Sequence, residues 1–320
     1  METDLIILAE QIVNGKRLSR GDDLSFFETC ELEQLCKGAD LIRRHFMGEH
    51  IDLCSVINAK SGHCSENCKF CAQSAFNHTN CQEYGFMEPE KIFEEAKKLA
   101  DEGVHRFSIV TSGKALSGKD FEKALEAFRM INSKLNIKTC ASMGFITSEQ
   151  IAALKDAGVS GIHHNIETSR RNFANICTSH TYEMKMETLK HVRAAGLRIC
   201  SGGIIGMGET FEDRIDMAVS LSEAGADSIP VNALMPVPGT PYENLQPLSE
   251  AEILRTIAMF RYINPKADVR LAAGRKLMNG KGESVFESGA SATITGNMLT
   301  TSGTTIKEDK EMFARLGRTF

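Results

Sequence analysis

One phrase recurs along the chain and restricts its possible architectures: a helical pattern ends in glycine, and a short β-branched strand follows within a few residues. It appears as Asp101-Glu102-Gly103 before His105–Val110 and as Asp156-Ala157-Gly158 before Ser160–Asn165. It returns as Ala194-Ala195-Gly196 before Leu197–Gly202 and as Glu223-Ala224-Gly225 before Asp227–Asn232. Glycine tolerates the left-handed conformation that closes a helix. Between these points apolar residues keep helical spacing, as in Ile92, Phe93, Ala96, Leu99 and Ala100. A further helix opens on the capping-box pattern Ser249-x-x-Glu252, ahead of Ile253, Leu254, Ile257 and Phe260. Strand–helix alternation of this kind calls for parallel strands joined by right-handed crossovers. Strands are predicted near 52–58, 105–111, 137–143, 160–165, 197–203, 227–233, 268–272 and 291–296. Eight such units give an α/β fold of the (β/α)8 TIM-barrel type, with a doubly wound sheet as the other possibility. With no low-complexity linker, residues 1–320 read as one domain whose barrel runs from about 40 to 300. The extensions, residues 1–40 and about 300–320, are expected to pack outside it as helices.

Bulk properties narrow the function. A 42% hydrophobic content supports a large core, and no stretch approaches the roughly 18 unbroken apolar residues of a membrane helix. A net charge of −5 with interspersed signs offers no basic face for nucleic acid. The N-terminal Met-Glu-Thr-Asp lacks a basic-then-apolar signal pattern, so a cytoplasmic setting with no membrane partner is expected. In that setting ten cysteines read as metal ligands, reactive thiols or core filling rather than disulfides. Cys30 and Cys36, in an N-terminal helical pattern, read as core filling.

Three cysteines stand together in Cys64-x-x-x-Cys68-x-x-Cys71, in the loop after the first predicted strand. Thiolates at this spacing can hold a cubane iron–sulfur cluster and leave its fourth iron without a protein ligand. An open iron can bind a substrate or cofactor. The competing reading is a structural zinc loop with His63 or His78 as fourth ligand. Phe70, next to the last cysteine, favours the cluster.

Several strands carry polar or thiol groups where a purely structural barrel would use Val, Ile or Leu. These are Cys54, Ser108, Cys140, then His163, Asn165 and Glu167, then Cys200, Asn232 and Arg270. Alternation places His163, Asn165 and Glu167 on one side. An arginine aimed at an interior needs anionic or metal-site company, because burying its charge unpaired is costly. A second metal centre inside the barrel is therefore expected. The run from Ser201 to Thr210, rich in glycine, matches no phosphate-loop pattern. It reads instead as a surface where a nucleoside approaches the backbone closely.

The cysteine loop resembles the signature of the radical S-adenosylmethionine (SAM) superfamily, and nearly the whole chain resembles the biotin synthase family within it. The resemblance runs through His164-Asn165-Ile166-Glu167-Thr168-Ser169, Cys200-Ser201-Gly202-Gly203 and Ile229-Pro230-Val231-Asn232 with Gly239-Thr240-Pro241. It continues through Val269-Arg270-Leu271-Ala272-Ala273-Gly274-Arg275, Leu299-Thr300-Thr301 and Glu308-Asp309-Lys310. It implies a sulfurtransferase that inserts sulfur into dethiobiotin. A 4Fe–4S cluster on Cys64, Cys68 and Cys71 would bind SAM, and an auxiliary cluster would donate the sulfur. Phe70, Asn165, Glu167 and Lys185 would contact SAM, while His163 and Asn232 would contact the ureido end of the substrate. A flavodoxin or ferredoxin reductant and a homodimer are implied as well. Maturases or methylating enzymes of hydrogenase cofactor assembly share the cysteine loop and form the alternative.

The chain departs from the usual family pattern. Cys140, Cys200 and Arg270 match three ligands of a 2Fe–2S auxiliary cluster, but Ser108 replaces the strand-two cysteine. Cys54 and Cys81 offer compensation, so that Cys54, Cys81, Cys140 and Cys200 would hold a 4Fe-type cluster with an extra sulfide, as in anaerobe variants. Lys185 stands for an arginine and loses its bidentate fork. Glu167 stands for an Asp and His163 for an Asn. Cys177 remains as a further candidate ligand, read first as structural.

Overall fold

The computed structural model describes residues 3–296 and 303–320, so Leu299-Thr300-Thr301 lies outside the described residues. Its strands are β1 (Asp52–Lys60), β2 (Arg106–Thr111), β3 (Lys138–Ser142), β4 (Gly161–His163) and β5 (Arg198–Cys200). They continue as β6 (Gly203–Ile205), β7 (Ser228–Ala233), β8 (Asp268–Leu271) and β9 (Ala292–Ile294). All are parallel, in the order β5-β4-β3-β2-β1-β9-β8-β7-β6. A further pairing of β5 with β7, Cys200 opposite Ser228, closes the sheet. β5 and β6 are two pieces of one stave, so the result is an eight-stave barrel, with a strand at every expected position.

The break in the fifth stave has a steric cause. A methyl group on Gly202 would overlap the Pro230 carbonyl, and one on Gly203 would overlap the Glu167 carbonyl and Met217. At these two positions the missing side chains serve close packing within the barrel rather than the approach of a nucleoside, whereas at Gly208 a methyl group would meet nothing within 4 Å.

Strand alternation sorts the side chains. On β2, Phe107 and Ile109 are fully buried toward the crossover helices, where Ala124, Phe128 and Ile131 of the helix Gly118–Lys134 complete the packing layer. Arg106 and Ser108 point the other way, into the barrel. The helix Phe211–Ala224 ends on Gly225 at φ 68°, ψ 43°, the left-handed cap that the recurring glycine predicts. The capping box at Ser249 and Glu252 is also present.

Both chain ends pack outside the barrel. Helices Leu5–Val13 and Leu32–Met47 lie against Glu250–Ile263, where Tyr262 fits over Gly38 and donates a 2.9 Å hydrogen bond to the Leu5 carbonyl. Cys30 and Cys36 pack against the core here. The C-terminal helix Ile306–Arg315 is followed by a segment tied to the start of β1: Ile51 N donates to Thr319 O at 2.8 Å, and Thr319 N to Glu49 O at 2.9 Å. No described helix is long and apolar enough to cross a membrane.

Candidate active site

Inward side chains line a cavity of about 390 Å³ running from the strand interior to the loop after β1. Cys54, Ser108, Cys140, His163, Asn165, Glu167, Cys200, Asn232 and Arg270 all reach it, as do Phe70 and Cys71 at the mouth. Sequence reasoning missed four other liners or neighbours: Arg106, Arg198, Ser228 and Asp52. Each shares strand parity with a polar residue already singled out (Arg106 with Ser108, Arg198 with Cys200, Ser228 with Asn232, Asp52 with Cys54), and that parity is the signal that could have found it.

The cavity floor is cationic. Arg270 Nη2 donates to Ser228 Oγ at 2.9 Å and to Asp52 Oδ2 at 3.3 Å, and Arg106 Nε stands 3.7 Å from the same oxygen. Burial opposes ionisation of Asp52, yet Arg270, Arg106 and Arg198 together hold its carboxyl below the usual range. Arg106 Nη1 also reaches Cys140 Sγ at 3.6 Å. The Nε atoms of Arg106 and Arg270 are buried with no hydrogen-bond acceptor among the described residues.

The thiols differ in character. Burial pushes Cys54 up to about 12. Burial also opposes ionisation of Cys200, but His163, with Nδ1 3.3 Å from Cys200 Sγ, and Arg270 bring that thiol down to about 7. His163 is raised in turn: burial disfavours its cation, and the Cys200 thiolate more than compensates.

In the middle of the cavity the polar groups are held by backbone. Asn165 Oδ1 accepts from Gly202 N at 2.9 Å, and its amide nitrogen lies 3.4 Å from Glu167 Oε2. Glu167 adopts φ 71°, uncommon for a non-glycine residue, while its carbonyl accepts from Ile204 N at 2.8 Å. Asn232 donates to Gly203 O at 3.1 Å and accepts from Ala273 N at 3.2 Å, spanning β6 and the end of β8.

At the mouth, Cys64, Cys68 and Cys71 occupy one compact loop. Asn77 Nδ2 donates to the carbonyls of Cys68 and Cys71, and Ala75 N to that of Cys64. Burial pushes Cys71 up to about 11, with the neighbouring Cys64 adding to the shift. The loop is moored to the segment after the helix Arg170–Ile176. Asn67 Oδ1 accepts from Thr178 N at 2.9 Å and from Ser179 N at 3.0 Å, and Glu66 Oε2 lies 2.6 Å from His180 Nδ1. His63, one of the zinc alternative's two candidates, is exposed and 2.6 Å from Glu83 instead.

Two residues stand elsewhere than expected, and a third has an unexpected neighbour. Cys81 is not among the cavity liners; its sulfur lies 3.6 Å from Ser61 Oγ, on the side of Cys71 and Tyr84. The gathered interior thiols are therefore Cys54, Cys140 and Cys200 with Arg270, in place of a four-thiolate set. Lys185 is buried off the cavity, with Nζ 5.2 Å from the centre of the Phe145 ring, so it does not join Asn165 and Glu167. Cys177, read first as structural, is buried in the hydrophobic core, and its sulfur lies 3.7 Å from that of Cys68.

Comparison with known proteins agrees with this geometry. Residues 60–221 match the radical SAM superfamily, and residues 230–319 match the biotin and thiamin synthesis associated domain. The chain is 56% identical over 314 residues to a biotin synthase of Alkaliphilus metalliredigens, covering 98% of this chain and 99% of that protein. It is 56% identical over 310 residues to one of Clostridium beijerinckii, covering 97% and 98%. The chain belongs to the biotin synthase family. It is thus a radical SAM sulfurtransferase. Among solved structures, methylornithine synthase (PylB) superposes with a TM-score of 0.83 at 19% identity, covering 98% of this chain and 96% of that one. The [FeFe]-hydrogenase maturase HydG superposes at 0.78 and 17%, covering 99% and 75%. These likenesses show the fold alone, so the maturase alternative gains nothing from them.

Members of the biotin synthase family use SAM, a 4Fe–4S cluster and an auxiliary iron–sulfur cluster. The residues here fit such groups. Three thiols share one loop at the cavity mouth, where Cys71 lines the cavity that holds Cys54, Cys140 and Cys200. The unpartnered Nε donors of Arg106 and Arg270 suit an anionic occupant of the floor.

Proposed function

We propose that this cavity converts dethiobiotin to biotin with the roles divided along its depth. The observation that carries the reading is the convergence of Cys54, Cys140, Cys200 and Arg270 in the same cavity onto which Phe70 and Cys71 open. Cys64, Cys68 and Cys71 hold the SAM cluster, with Phe70 against the adenine and Asn165 and Glu167 at the ribose and methionine groups. That cluster supplies the electron that cleaves SAM and so generates a radical able to take hydrogen from an unactivated carbon.

The remaining contributions come from side chains of the barrel. His163 and Asn232 contact the ureido end of the substrate; Asn232 is pre-oriented by its two backbone partners, which lowers the entropy lost on binding. Val56, Val110 and Leu234 line the walls and keep water from the reacting carbons. The floor holds the auxiliary cluster on Cys54, Cys140 and Cys200 beside Arg270. Ser108, in register with Cys140, offers only a weak ligand where the usual 2Fe–2S arrangement has a thiolate, and Cys54 would supply the third thiolate instead; a 4Fe-type cluster with an extra sulfide would take its fourth protein ligand from outside this set. The same family reading carries a flavodoxin or ferredoxin reductant, a homodimer and a cytoplasmic setting.

Anaerobic iron and acid-labile sulfide analysis of a Cys64→Ala/Cys68→Ala/Cys71→Ala variant tests the floor. About four irons with sulfide in excess is expected for the 4Fe-type cluster, and about two would restore the 2Fe–2S arrangement. No iron in a folded protein would overturn both. For the reaction, SAM, dethiobiotin and a reductant should yield 5′-deoxyadenosine and biotin. Cys200→Ala should retain cleavage of SAM and lose biotin, and biotin formation without Cys200 would sink its assignment.

A further inference from the structure

Cys177 is placed in a way that core filling does not explain. It is 3% exposed and belongs to the hydrophobic core, yet five polar atoms lie within 3.7 Å of its sulfur. Cys68 Sγ lies at 3.7 Å, Asn67 Oδ1 and Ser179 Oγ at 3.4 Å, and the His180 ring nitrogens at 3.4 Å and 3.7 Å. A thiol that did no more than fill an apolar gap would not need these polar neighbours. Ligand atoms of Cys68, Cys177 and His180 lie within 4.8 Å of one another.

The separation of the two sulfurs is that of thiolates on a single tetrahedral ion, and the His180 ring, with both nitrogens at similar distances from Cys177 Sγ, would turn to present one of them. Metal–sulfur bonds of about 2.3 Å put two thiolates about 3.8 Å apart, and a metal–nitrogen bond of about 2.0 Å puts nitrogen and sulfur about 3.5 Å apart. Glu66 Oε2, 2.6 Å from His180 Nδ1, engages that nitrogen, so Nε2, 3.7 Å from Cys177 Sγ, is the one the ring would turn toward an ion. Phe145 and Phe173 pack edge-on against the same imidazole.

We propose that Cys68, Cys177 and His180 form a second metal site, for a single thiophilic divalent cation such as zinc, which competes with the SAM cluster for Cys68. The fourth position is left to water. Two thiolates and an imidazole suit zinc or ferrous iron and not magnesium or calcium. Because Cys68 cannot serve both sites, an ion held here withdraws one cluster ligand from a cluster-free chain and slows cluster assembly. That competition rests on the assignment of Cys68 to the cluster; the metal site itself does not.

Anaerobic titration of the full-length Cys64→Ala/Cys71→Ala variant with Co(II) reads the site directly, through thiolate-to-cobalt charge transfer and tetrahedral ligand-field bands. Adding Cys177→Ala or His180→Ala should remove about one equivalent of bound cobalt per chain. Adding Glu66→Gln should weaken that equivalent roughly tenfold by freeing the ring. A titration unchanged by Cys177→Ala overturns the proposal. A second measurement avoids any doubt about folding: cluster reconstitution of the wild type after one equivalent of Zn(II), beside the single variant Cys177→Ala. Zinc should delay the wild type more than Cys177→Ala, in which only the loop cysteines remain to hold it, and equal delay in both would refute the competition. If cobalt binds as described but the cluster forms without Cys68, the cluster assignment fails while the metal site stands.

Discussion

Arg270 Nη2 lies 3.3 Å from Asp52 Oδ2, so the guanidinium of β8 and the carboxylate at the start of β1 meet across the barrel floor. Arg270 is only 2% exposed, and Asp52 is the anion it shares with Arg106. Removing that carboxylate leaves buried cations without a counter-charge. Asp52→Ala should cost the cluster-free protein about 3 kcal/mol, measured by urea unfolding. Unchanged stability would mean the floor cations are neutralised in some other way.

The Cys200–His163 pair predicts a selective thiol. With Cys200 near 7 and Cys54 near 12, alkylation of the cluster-free protein at neutral pH should reach Cys200 well before Cys54. Replacing His163 by Ala removes the imidazole that favours the thiolate. The rate at Cys200 should then fall roughly tenfold, since part of the lost thiolate fraction is offset by higher intrinsic nucleophilicity. Peptide mass spectrometry over time checks both statements, and faster labelling of Cys54 would contradict them.

Gly202 is a packing residue of the fifth stave. Its missing side chain admits the Pro230 carbonyl, a neighbour that cannot rotate away. Gly202→Ala should destabilise the barrel by about 3 kcal/mol or prevent its closure. Thermal unfolding of the variant beside Gly208→Ala is informative, because at Gly208 a methyl group meets nothing within 4 Å and only backbone strain at φ 91° remains. Equal losses at the two positions would rule out the packing explanation.

Asp213 fastens the segment after β4 to the helix Phe211–Ala224. Its carboxylate accepts from Ser169 Oγ at 2.6 Å, Arg171 Nε at 3.0 Å and Thr210 N at 2.9 Å. Burial alone would raise its acid, but Arg171, Ser169 and Thr210 bring it from 3.8 down to about 2. A depressed folded-state value stabilises fully above the unfolded value and is lost as pH falls toward the folded one. Asp213→Asn should therefore cost about 2 kcal/mol at neutral pH. The gap from wild type should hold down to about pH 5 and narrow below about pH 4. Urea unfolding across that range checks it, and a gap that widens on acidification would contradict the assignment.

What the sequence determined by itself was local and periodic. Glycine-ended helices such as the one stopping at Gly225, with alternating strands between, specify parallel staves and which residues face inward. Hence the sequence alone points Cys54, Cys140, His163, Cys200, Asn232 and Arg270 into one interior. The spacing within Cys64, Cys68 and Cys71 is local in the same sense. Only the tertiary structure decided how separate loops dock. Cys81 belongs with Ser61 rather than the floor, and Lys185 with Phe145 rather than Glu167. Cys177 meets Cys68, 109 residues away in sequence, because Asn67 and Glu66 moor one loop on the other. Strand parity tells which way a side chain points within its own element. Contacts between loops depend on hydrogen bonds and shapes contributed by distant segments, and no short-range pattern encodes them.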